Sequence, residues 1–205
     1  MGDSILVLGI GNVLWADEGF GVRAVAALHE GWSFPPEVRL LDGGTQGLYL
    51  LGEIQGIDRI LVFDAIDYKL EPGKMLVLRD AEIPAYLATG KMSPHQTSFQ
   101  EVLALAQLTG WKPKAVTLVG VQPLELRDFG GTLTPVVKAA MPGALEQGLA
   151  QLAQWGVPIV PRESKRDDLL GESLSLDAYE TGRPTERDAF RKGDPRIAVR
   201  AEDLG

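Results

Sequence analysis

The chain has 205 residues, 45% hydrophobic and 23% charged, the balance of one soluble globular domain, which excludes a disordered, collagen-like or low-complexity protein. Twenty basic against 28 acidic residues leave a net charge of −8, so neither nucleic acid nor an anionic membrane is expected as a partner drawn in by overall charge. Cysteine is absent, which excludes disulfides, cysteine-rich zinc sites, iron–sulfur ligation and a cysteine nucleophile together.

The first four residues lead straight into an apolar run at 5–11. That run is too short to span a membrane and lacks the basic start of a signal peptide, so the expected compartment is the cytoplasm. Ile5-Leu6-Val7-Leu8-Gly9-Ile10 reads as a strand buried on both faces. Residues 18–30 read as a helix whose stripe is Val22, Val25, Ala26 and Leu28, with Gly31 past its end. Residues 38–41 are a second strand, 48–54 a short helix, and 59–64 a third strand. Residues 75–78 follow Pro72-Gly73 and read as a strand, with a hairpin to its neighbour as one arrangement. Residues 99–108 are a helix between Ser98 and Gly110. Residues 116–121 are another buried strand, and 134–155 a long helix that Pro142 should kink or divide. Residues 157–160 close the core as an edge strand or extended linker.

Beyond Pro161 the composition changes. Residues 162–205 carry 9 basic and 11 acidic side chains with little apolar surface to offset ordering entropy. The expected organisation is therefore an α/β domain at 1–161 and a charged extension at 162–205, solvated or ordered by a partner. Within the domain, repeated strand–helix–strand order predicts a three-layer α/β/α sandwich around a twisted, mostly parallel five-stranded sheet. Ligands of such sheets sit beyond the carboxyl ends of the strands, where strand order reverses.

Those ends carry acids. After the first strand, Gly9 and Gly11 suggest a dinucleotide turn, but the third glycine of that fingerprint falls at Leu14 and the match fails. Asp17-Glu18 sits where a helix begins, a position at which an acid ordinarily complements the helix dipole. Asp42 ends the second strand before Gly43-Gly44-Thr45, and Asp64 ends the third; singly, each suits a turn or cap. Three carboxylates at three successive strand ends shift the balance toward function. Of the two histidines, His29 falls in a last helical turn, where it suits the dipole. His95, in Ser93-Pro94-His95-Gln96, lies in a loop before a helix. No Gly-x-Ser-x-Gly elbow, His-Glu-x-x-His helix or Walker loop is present. Glu18, Asp64 and His95 remain as a borderline set for a divalent transition ion with open coordination positions.

Taken in order, Leu6-Val7-Leu8-Gly9-Ile10-Gly11-Asn12, Trp15-Ala16-Asp17-Glu18-Gly19-Phe20-Gly21, Asp42-Gly43-Gly44-Thr45, Asp64-Ala65-Ile66-Asp67, Ser93-Pro94-His95-Gln96 and Leu118-Val119-Gly120-Val121-Gln122-Pro123 resemble the nickel-iron hydrogenase maturation endopeptidases. Leu14 to Glu18 and His95-Gln96-Thr97-Ser98-Phe99 resemble the branch that serves membrane-bound uptake hydrogenases. The resemblance covers residues 1–161. It implies a protease that makes one cut near the C-terminus of the hydrogenase large-subunit precursor after nickel insertion. It also implies Glu18, Asp64 and His95 as nickel-contacting residues, with the nickel supplied by the precursor and not held tightly at rest, and it marks Asp42 as important. Asp42 or Asp17 is the candidate base. Trp15, Phe20, Tyr49 and the Met92 loop are expected along the crevice or in its packing, and the free protein is expected to be a monomer. A non-catalytic nickel carrier or docking factor would use the same three ligands. A nucleotide-binding enzyme conflicts with the failed glycine pattern and crowded acids. An aminoacyl-ester hydrolase, suggested by Gly11-Asn12, conflicts with the acidic balance.

Overall fold

The structure is a computed structural model, described here for residues 2–44, 50–83, 112–164, 169–170 and 174–182. Five strands form one sheet: β1 (Ile5–Ile10), β3 (Val38–Gly44), β4 (Arg59–Ala65), β5 (Met75–Arg79) and β6 (Ala115–Val121), in the order β3-β1-β4-β6-β5. The first three and β6 run parallel, and β5 is antiparallel to β6. The continuous apolar runs of β1, β4 and β6 are buried on both faces, as central parallel strands require.

Pleat alternation sorts the strand residues into two layers. Ile5, Val7, Leu61, Phe63 and Val119 face α1 (Phe20–Gly31) and α3 (Pro135–Gln154). Leu6, Leu8, Ile60, Val62 and Leu118 face the other way, against Leu50 and Ile54 of α2 (Leu50–Ile54) and against Ile83. The expected sandwich and mostly parallel sheet are therefore present. A two-stranded antiparallel ribbon joins β2 (Trp32–Ser33) to β7 (Val160–Pro161) beside them. No helix among the described residues is long and apolar enough to cross a membrane.

Four local expectations change. The segment at 75–79 pairs with β6, not with β4, and forms the sheet edge. Pro142 lies inside an unbroken 20-residue α3. The first helix is split: a 3-10 turn at Ala16–Gly19 precedes α1, which starts at Phe20 and includes Gly31. Of the last predicted strand, 157–160, only Val160 lies in a ladder, together with Pro161. The helix predicted at 99–108 lies outside the described residues.

The extension beyond Pro161 meets the domain. Arg162 Nε donates to the carbonyls of His29 (3.0 Å) and Trp32 (2.9 Å) at the end of α1. Leu170 is buried with Val22 and Ala26 of α1, flanked by Val13, Leu169 and Leu174. A short helix α4 (Leu176–Gly182) follows.

Candidate active site

The chain leaves β3 on one side of β1 and returns as β4 on the other. The carboxyl end of β1 is thus the point of reversal, the place where an open α/β sheet leaves a crevice. The 3-10 turn is folded down onto this end. Its approach depends on missing side chains: a Cβ on Gly9 would strike the Gly21 carbonyl, and one on Gly21 would strike the carbonyls of Phe63 and Ile10. Of the two glycines that hinted at a dinucleotide turn, Gly9 instead seats the start of α1 on the strand ends, and Gly11 admits the Glu18 carbonyl. Gly11 turns the chain at φ 127°, a conformation that suits glycine. The turn is fixed by bonds from Glu18 N to the Trp15 carbonyl (2.8 Å) and from Asn12 N to the Glu18 carbonyl (3.2 Å).

Two of the expected acids meet there. Asp64 ends β4 and is 6% exposed. Its carboxyl is pushed well above the usual carboxylate range, first by burial and further by the negative charge of Glu18, against the pull of the Ala65 amide. Glu18 is half-buried with Oε2 shielded from solvent, on the 3-10 turn that packs against β4. Two carboxylates in a dry corner repel each other, and a divalent cation is the simplest ligand that relieves that repulsion.

Asp42 stands on the far side of β1. In the ladders Gly9 is opposite both Asp42 and Phe63. Asp42 is therefore level with Phe63, and Asp64 is one residue further and on the other face of the pleat. The two acids flank the end of β1 from opposite faces, two strand spacings or roughly 10 Å apart. Burial raises the pKa of Asp42, while the Gly44 amide at 2.8 Å opposes the shift. Asp42 is thus placed across the crevice from the Glu18–Asp64 pair and not within it.

Asp17 has a different setting from either expected role. It is fully buried. Its Oδ2 accepts the amides of Leu124 and Glu125, both at 2.9 Å, and the Thr134 hydroxyl at 3.0 Å. Its Oδ1 accepts the Thr134 amide at 2.7 Å. With four donors on two oxygens and no solvent contact, Asp17 fastens the segment after β6 and the start of α3 to the turn that carries Glu18. The sequence marks an acid at a helix start; the helix it serves is α3, distant in the chain.

Of the expected crevice walls, Phe20 is fully buried in the layer between the sheet and α1. Trp15 packs edge-on against Phe129, ring centroids 5.2 Å apart. Phe129 and Leu124 are 65% and 59% exposed, and make an apolar rim beside the turn. His95, Tyr49 and Met92 lie outside the described residues, and no group of three metal-binding side chains is assembled among the described ones.

One neighbour escaped the sequence reading. Tyr68 is 7% exposed and its hydroxyl is buried over Gly120, where a Cβ would collide with it. Gly120 is the ladder partner of Asp64. The tyrosine is held from behind by Gln122, whose Oε1 accepts the Tyr68 amide at 2.8 Å. The available signal was a glycine inside a buried strand, which often marks a close approach.

Comparisons with known proteins match this chain in sequence and in fold. A family model described as HycI, hydrogenase maturation protease, matches residues 22–151. The hydrogenase expression/formation protein HupM of Azotobacter chroococcum is 53% identical over 194 residues, 95% of this chain and 93% of the relative. The hydrogenase 2 maturation protease of Escherichia coli K12 is 49% identical over 164 residues, 80% of this chain and 99% of the relative. A solved structure titled as the hydrogenase maturating endopeptidase HybD from E. coli superimposes with a TM-score of 0.73 at 47% identity, covering 79% of this chain and 98% of that one.

Proposed function

The chain belongs to the hydrogenase maturation protease family, and from that premise we propose that it removes the C-terminal extension of a nickel-iron hydrogenase large-subunit precursor after nickel insertion, recognising the nickel within its substrate. The observation that carries the reading is the pairing of buried Asp64 at the end of β4 with the charge of half-buried Glu18. A corner built to hold two like charges in low dielectric is costly for the empty protein. A cation carried in by the client offsets that cost.

In this reading Glu18, Asp64 and His95 grip nickel that precursor residues already ligate. The ion fixes the scissile peptide in register and polarises its carbonyl. Asp42, held across the end of β1 with a raised proton affinity, takes a proton from the attacking water as its oxygen bonds to the carbonyl carbon. The same proton then passes to the departing amine as the C–N bond breaks. Asp17, with both oxygens already engaged, holds the frame and leaves base chemistry to Asp42. Leu124 and Phe129, exposed beside Trp15, supply an apolar wall for the extended segment of the client.

Nickel dependence makes the metal a checkpoint: a precursor without it is neither gripped nor cut. The test is to incubate purified protein with nickel-loaded and nickel-free precursor and follow the precursor by mass. Release of a C-terminal peptide from the loaded form alone supports the proposal. An unchanged mass with stable binding supports the carrier reading instead, and equal cleavage of both forms refutes nickel recognition.

A further inference from the structure

The outer face of α1 is apolar where a surface helix would be polar. Val22 and Ala26 are buried there, and so is the charged Arg23 at 5% exposure. A helix buried all round needs cover on every side. Here the cover is the extension. It starts at the C-terminal end of α1, where Arg162 bonds the His29 and Trp32 carbonyls. It meets Val22 and Ala26 through Leu170. It then reaches Arg23, which donates to the Leu174 carbonyl and lies 5.4 Å from the Tyr179 ring centre. Glu180 completes the course: it accepts from the Thr132 hydroxyl at 2.9 Å and from Lys138 Nζ at 2.6 and 2.8 Å.

The places touched are not arbitrary. Val13 belongs to the loop that enters the 3-10 turn. Thr132 lies two residues before Thr134, which bonds Asp17 beside Glu18. Lys138 is in the first turn of α3. The extension therefore clasps three elements that meet at Asp17, and these are the elements that hold Glu18 over Asp64.

We propose that the described residues beyond Pro161, at 162–164, 169–170 and 174–182, form a strap along α1 that positions Glu18, with Tyr179 and Glu180 as its positioning residues. The consequence for catalysis rests on the proposed function; the ordering of the turn does not.

The test uses the full-length chain with Glu180→Ala, which cuts the Thr132 and Lys138 contacts and leaves the apolar core untouched, and with Tyr179→Ala as a second variant. Amide hydrogen exchange is followed peptide by peptide. The expected result is exchange about five-fold faster or more in peptides spanning 12–20 and 124–134, with β4 and β6 unchanged, and partial recovery in Glu180→Gln, which keeps an acceptor for Thr132. With precursor, kcat falls while KM holds. Unchanged exchange in both peptides, or equal acceleration throughout the sheet, overturns the strap. If the wild type proves inactive but exchange at 12–20 still depends on Glu180, only the proteolytic reading fails.

Discussion

Asp17 and Thr134 are 117 positions apart in sequence, yet the Asp17 carboxylate accepts both the amide and the hydroxyl hydrogen of Thr134. The pair pins Thr134, the residue that leads into α3, to the turn that carries Glu18. Replacing Asp17 by Ala leaves four donors without an acceptor in a region closed to water. The expected cost is about 2–4 kcal/mol, since bonds to a charged acceptor are each worth about 1.5–3 kcal/mol and the donors relax in part. Urea denaturation of Asp17→Ala measures it; a loss below about 0.5 kcal/mol would contradict the assigned role.

Asp64 has the opposite balance. Burial, and then the Glu18 charge, hold its folded pKa well above the unfolded value. Between those two values the folded state binds more protons than the unfolded state, so stability falls as pH rises through that window. Asp64→Asn removes the titrating group. The variant should therefore melt higher than the wild type at neutral pH, by about 2–4 °C for each kcal/mol recovered, while losing precursor processing. The two melting curves should approach each other toward pH 4. A lower melting temperature for Asp64→Asn at pH 7 would show that the carboxylate is structural.

Acid stability has a separate source at the other end of the strands. Asp58 accepts the amide and hydroxyl of Ser4 and pairs with Lys114 at 3.0 Å. Bonds from Ser4 first, then the Lys114 contact, bring its pKa down to about 2. For a depressed carboxylate the stabilisation is present above the unfolded pKa and is lost as pH falls through the folded one. The contribution of Asp58 should thus disappear between about pH 4 and about pH 2. Asp58→Asn should flatten the pH dependence of the melting temperature across that interval, and an unaltered dependence would remove Asp58 from the account.

Gly148 offers a packing test free of charge. It lies within α3, and a Cβ there would run into the ring of the fully buried Phe63. Alanine in a helix interior normally gains up to about 1 kcal/mol over glycine. Here overpacking of about 1–3 kcal/mol opposes the gain, so Gly148→Ala should be neutral to destabilising. Clear stabilisation would mean that α3 sits further from β4 than described.

How much of this was legible in the sequence depended on range. β1, β4 and β6 were readable because parallel strands buried on both faces must be apolar throughout, and the acids near the ends of β3 and β4, Asp42 and Asp64, were readable because chain reversal brings those ends together. The edge pairing of Met75–Arg79 with β6 was not, since a five-residue strand carries no mark of its partner. The role of Asp17 was hidden because its donors come from residues 124–134, and an acid at a helix start looks the same whichever helix it serves. Pro142 was read by the general rule for helix breakers, which the packing of α3 on the sheet overrides. The docked extension was missed because its charge density outweighs the few residues, Leu169, Leu170 and Leu174, that hold it; Val22 and Ala26 on the outer face of α1 were the overlooked complement.

The most direct test of the central claim is the rate of precursor processing, with nickel-loaded and nickel-free substrate, for the wild type and for Glu18→Gln, Asp64→Asn and His95→Ala. The expected result is cleavage of the loaded precursor alone by the wild type, with each substitution reducing it by about two orders of magnitude or more. Wild-type rates in all three variants would contradict the shared metal grip on which the account rests.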